Sequence, residues 1–127
     1  MTDDDFLARL EDGSLPAASF RHRDHIRAGY LYVRRHGFAG AVAAMARALR
    51  SFAAAKGRPG LYHETITVAF VALINRHYVA DDGAGDFEAF AAAHPDLFVP
   101  GLLDRFYPPG QLDTAEARAV FVLPQAV

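Results

Sequence analysis

The chain of 127 residues has no cysteine, a hydrophobic fraction of 52% and a net charge of −2, which excludes disulfides and thiolate metal sites and leaves enough apolar material for one core. Its apolar runs break at Arg, His or Gly before the roughly 18 residues that a bilayer-crossing helix needs. The acidic start MTDDDFLARL also lacks the basic-then-apolar order of a secretory signal, so a cytoplasmic protein with no membrane span is expected.

Taken in chain order, the apolar residues recur at the helical period of 3.6. A short helix is predicted after Thr2, with Phe6, Leu7 and Leu10 on its apolar face and Gly13 as its stop. A second is predicted from Asp24, a good N-cap, to His36, with Gly37 ending it and Ile26, Tyr30 and Val33 on its inner stripe. The third, Ala39 to Lys56, is rich in alanines that let a neighbour approach closely, and it closes at GRPG. From Glu64 to Val79 the apolar stripe of Ile66, Phe70, Leu73 and Ile74 is the most regular in the chain, which predicts the central helix of the fold.

Asp86 can cap a short helix bearing Phe87 and Phe90 that ends at His94 before Pro95. A further helical piece, broken by Pro100 and Gly101, follows. A last helix is predicted from Asp113, which has Glu116 three residues on in a capping-box spacing, and it runs to just before Pro124. Strand signals are poor. The fold class is all-α, one compact multi-helix bundle of about five to seven helices in a single domain spanning residues 1–127.

Charge is uneven along the chain: residues 1–60 hold ten basic and six acidic side chains, residues 61–127 three and nine. A basic first half raises nucleic-acid binding. No nucleic-acid motif accompanies it, however, and the acidic second half can complement the basic half within the domain, so nucleic acid is not the expected partner.

The chemistry concentrates in two stretches, SFRHRDHIR at 19–27 and LYHETIT at 61–67. His22 and His25, three residues apart, share a helix face with Gly29, which leaves room for a ligand or another backbone. Two such imidazoles can hold a divalent metal such as zinc if a third ligand meets them, and Glu64 is the candidate. His77 cannot serve the same ion as His63, because fourteen helical residues separate them by about 21 Å. The HExxH pattern of zinc proteases is absent, since HETIT lacks the second histidine. No serine nucleophile, P-loop or dinucleotide motif is present. His36 and His94 sit at helix ends, where a structural role suffices.

FRHRDHIR, YHETIT and AEARAVFVLP together resemble a family of short bacterial proteins, over most of the chain. That resemblance implies no particular activity.

Two functions follow. One is an enzyme or ligand-binding protein with its pocket between the starts of the second and fourth predicted helices. There His25 and Glu64 would be acid/base groups, Tyr62 and His63 would form the rim, Arg23 and Arg27 would favour an anionic small molecule, and His22, His25 and Glu64 would ligate any metal. The other is a non-catalytic interaction module, a homodimer joined through Phe98, Leu102, Phe106 and Tyr107, with structural histidines.

Overall fold

Thr2 starts the fold: its hydroxyl accepts the Asp5 N–H at 3.1 Å and begins α1, Asp3–Asp12. In the computed structural model, which describes residues 1–125, four further α-helices follow: α2 (His22–Ala55), α3 (Glu64–Ala80), α4 (Phe87–Ala93) and α5 (Ala115–Ala119). Short 3₁₀ turns connect them. Among the described residues there is no strand, so the chain is all-α as expected.

Helix α2 is two arms. Gly37 has φ 73° and ψ −174° inside it, a left-handed, extended conformation that an L-residue with a Cβ resists. A straight helix would separate His25 from Phe52 by about 40 Å. Both nevertheless pack on Phe20, at ring centroid distances of 3.9 and 5.0 Å, so the chain reverses at Gly37 and the arms lie side by side. The predicted pair of helices with a stop at Gly37 is therefore the geometry found.

The first arm occupies the middle of the bundle. It buries Ile26 and all of residues 28–33, and each neighbour meets it through identifiable contacts. From α1, Asp3 pairs with Arg27, Asp4 with Arg35, and Glu11 accepts the Tyr32 hydroxyl. From α4, Phe87 and Phe90 lie 5.6 and 4.8 Å from the Tyr30 ring. This corrects the expectation that the Glu64–Val79 segment is central: α3 buries only Thr65, Thr67, Val71 and Ile74 and forms one wall. A regular apolar stripe marks a helix with one wet side, whereas residues 28–33 are buried in succession, so the middle of the first arm shows less periodicity.

Three smaller expectations are also corrected. Helix α2 begins two residues before Asp24, whose carboxylate reaches back from inside the first turn to accept the Arg21 N–H at 2.9 Å. The last helix is capped by Thr114, not Asp113, and stops at Ala119. Beyond it, residues 120–125 run extended because side chains take their backbone groups: Thr65 binds Val120 and Val122, Tyr107 binds Val122, and Gln111 binds Leu123 and Gln125. Finally, the apolar set proposed for a homodimer is mostly internal. Leu102 and Tyr107 are each 5% exposed and Phe98 packs on the core, which leaves Phe106 alone of the four at the surface.

The basic stretch finds its acids within the domain: Arg27 and Arg35 on α1, Arg23 on Glu88 of α4 and Arg50 on Glu64 of α3. No helix among the described residues is long and apolar enough to cross a membrane.

Candidate functional site

The two arms of α2 and the start of α3 enclose a cavity of about 570 Å³. Its walls are largely apolar, with Phe20, Ile26, Leu49, Phe52, Ile66 and Phe70 prominent. They converge because the inner stripes of all three helical segments face one another once α2 folds back. Gly29 lines the cavity together with Ile74, and a Cβ on it would stand 2.6 Å from Ile74 Cδ1, so the missing side chain lets α3 pack closely at this point.

Polar groups enter this wall at few points, and four of the expected residues are among them: His22, His25, Tyr62 and His63 all line the cavity. Their roles separate sharply. His63 is buried and caps α3, its Nδ1 accepting the Ile66 N–H at 3.1 Å while Nε2 donates to the Leu112 carbonyl at 2.7 Å. Both ring nitrogens are thus spent, and His63 is a structural residue whose ring only lines the wall. His22 is at the rim, with Nε2 donating to the Leu97 carbonyl at 3.0 Å and its ring edge-on to Phe70 and Phe98.

His25 is the exception. Its ring stacks on Phe20 at 26°, and no described residue hydrogen-bonds to it. Burial, and then the neighbouring His22 charge, push its pKa down to about 4 against the opposing pull of Asp24. It is therefore a neutral imidazole at physiological pH, offering one donor and one acceptor into an apolar space.

Glu64 stands outside the cavity lining. Its carboxylate accepts the Tyr62 hydroxyl and lies 3.7 Å from Arg50; the Arg50 guanidinium in turn sits 4.6 Å from the Tyr62 ring centroid. Burial and the Glu64 hydrogen bond push the Tyr62 phenol up to about 12, so it stays a neutral donor. The expected metal set of His22, His25 and Glu64 is not assembled, because Glu64 is turned towards Tyr62 and Arg50 and His22 towards Leu97. Among the described residues, the ligand atoms that converge within 4.8 Å of one another belong to His77, His94 and Asp96.

Arg23 and Arg27 are also placed differently from the expectation. Arg23 pairs with Glu88 at 2.7 Å beside the Phe87 and Phe98 rings, and Arg27 pairs with Asp3 at 2.6 Å above Phe6. Neither lines the cavity. Its cations are instead Lys56 and Arg58, at the end predicted for the third helix and in the GRPG turn that closes it. The signal that would have found them is the reversal at Gly37, since folding 38–55 back on 22–36 carries KGRPG to the same end as SFRHRDHIR.

Comparison with known proteins adds no assignment: no family model, no curated protein and no solved structure matches the chain.

Proposed function

We propose that this protein binds a small, mainly apolar ligand with an anionic or hydrogen-bonding end, held in the cavity between the α2 arms and α3. The observation that carries this reading is the unpartnered, neutral His25 imidazole opening into an apolar cavity that has Lys56 and Arg58 in its lining. A volume of about 570 Å³ falls within the roughly 300 to 1,000 Å³ of small-molecule sites, which pair apolar walls with a few placed polar groups. The apolar body would displace little-bonded water from the walls, His25 would meet a polar atom of the ligand, and the two cations would favour a carboxylate or similar anion at the opening.

Acid/base catalysis by His25 and Glu64 has less support. A general base works best with a pKa near the operating pH, and His25 is held far below it by burial. Glu64 is committed to Tyr62 and Arg50.

The test uses 1-anilinonaphthalene-8-sulfonate, an aromatic anion whose fluorescence rises in apolar surroundings, as the probe. One probe per chain should bind and be displaced by decanoate more readily than by decanol. Ile66→Trp, which fills the cavity, should abolish both signals while the unfolding transition stays cooperative. Lys56→Gln with Arg58→Gln should erase the preference for decanoate, a change of up to about 5-fold for each exposed charge worth about 1 kcal/mol. Binding that survives Ile66→Trp unchanged would overturn the reading.

A further inference from the structure

At the far end of α3 from His63, two histidines and two aspartates meet. His77 lies in the last turn of α3 and Asp81 caps that helix, while His94 caps α4 and Asp96 lies in the 3₁₀ turn that follows. His77 Nε2 is 2.9 Å from Asp96 Oδ2, and His94 Nε2 is 2.6 Å from Asp81 Oδ2. The two imidazoles are stacked, with centroids 4.1 Å apart and planes at 22°, and the Phe90 ring lies tilted at 4.9 Å from His94. None of the four residues lines the apolar cavity.

We propose that His77, His94 and Asp96 form a binding site for a divalent transition-metal ion, with Asp81 orienting His94. One ligand atom from each of the three lies within 4.8 Å of the others. Atoms bound tetrahedrally to one zinc at about 2.0 to 2.2 Å stand about 3.3 to 3.6 Å apart, so side-chain rotations of about 1 to 1.5 Å close the set. The donor types also fit: imidazole and carboxylate together suit zinc and its first-row neighbours, whereas magnesium and calcium favour oxygen alone. Asp81 supplies the carboxylate partner that metal-bound histidines regularly have, fixing ring orientation and tautomer.

The site is also reachable: the His77, His94 and Asp96 side chains are 26%, 14% and 44% exposed.

The test is calorimetric titration of chelator-treated protein with zinc chloride, paralleled by the visible spectrum with cobalt chloride. One zinc per chain should bind, cobalt should show ligand-field bands of a nitrogen–oxygen site, and magnesium should not compete. Asp96→Asn and His77→Gln, which keep side-chain size, should each weaken zinc by at least about 10-fold, and Asp81→Asn should weaken it by about 10-fold or more. His22→Gln and His25→Gln should leave it unchanged. Absence of stoichiometric zinc and of cobalt bands in the wild type would overturn the proposal without any variant having to fold. So would zinc binding that is insensitive to Asp96→Asn and His77→Gln, or that is lost in His22→Gln and His25→Gln.

Discussion

The His25 imidazole lies face to face with the Phe20 ring, their centroids 3.9 Å apart and their planes inclined by 26°. This contact, continued by Phe52 at 5.0 Å from Phe20 on the far arm of α2, buries much of the imidazole at the cavity wall without giving its nitrogens a protein partner. A histidine in that position is favoured in its uncharged form.

The consequence is a pH dependence of stability with a definite sign. The folded pKa of about 4 lies below the ordinary 6.5, so on acidification the unfolded chain takes up this proton first and is favoured. Above about pH 6.5 His25 is neutral in both states and contributes nothing. Between about 6.5 and 4 it should cost up to about 3 kcal/mol, at about 1.4 kcal/mol per pKa unit. Asp12, held low chiefly by hydrogen bonds from Ser14, loses its contribution only below about pH 4 and falls outside that window. Urea unfolding at pH 7 and at pH 4.5 should show a drop that is smaller by about 2 to 3 kcal/mol in His25→Gln. An equal drop in both proteins would mean that the ring is solvated.

The position of His63 separates a structural histidine from a functional one. Its two hydrogen bonds tie the start of α3 to Leu112 in the turn before α5. His63→Asn keeps an acceptor suited to a helix N-cap but is too short to reach the Leu112 carbonyl, whereas His63→Leu removes both bonds. Thermal unfolding should rank them wild type, then Asn, then Leu, with a loss of about 1 kcal/mol for the first and about 2 to 4 kcal/mol for the second. Probe binding in the cavity should persist in His63→Asn. Loss of probe binding from a folded His63→Asn protein would return His63 to the binding residues.

Local signals carried much of this architecture. Thr2, Gly13, Gly37 and Asp86 mark helix boundaries by chemistry that acts within a few residues, and α3 follows from its stripe within one residue of its observed end. What the stripe could not convey is position, because periodicity reports how many sides of a helix are wet and the middle of the first α2 arm, residues 28–33, is buried in succession. The end of α5 was hidden for another reason: AVFVL satisfies a helical period, but Thr65, Tyr107 and Gln111, all distant in sequence, compete for its backbone. The cavity residues His22, His25 and Tyr62 were legible from ionisable groups clustered in two stretches. Glu64 was misread because its nearest competitor, the Tyr62 hydroxyl, is only two residues away. The pairing of His77 with His94 was invisible, since each has a sufficient local role at its own helix end and only the packing of α4 beside α3 stacks them.

Gly13 packs closely against Ala55, and the contact sets a clear demand on sequence. Gly13 ends α1 with φ 78°, its N–H bonded to the Leu10 carbonyl, and a Cβ built on it would stand 2.3 Å from Ala55 Cβ. Two separate costs therefore fall on Gly13→Ala. The left-handed conformation costs about 1 to 2 kcal/mol for a residue with a Cβ, and the overlap forces α1 away from the second arm of α2, which overpacking data place at about 1 to 3 kcal/mol. The substitution should destabilise the protein by about 2 to 5 kcal/mol in chemical unfolding. Ala55→Gly in the same chain removes the overlap and leaves the backbone cost, so the double variant should recover part of the loss even though Ala55→Gly by itself weakens the last turn of α2 by up to about 1 kcal/mol. Recovery of stability in the double variant relative to Gly13→Ala is the outcome that the contact requires. Strictly additive losses would mean that α1 and the second arm do not touch at this point, and with it the antiparallel packing of the α2 arms against α1 would have to be redrawn.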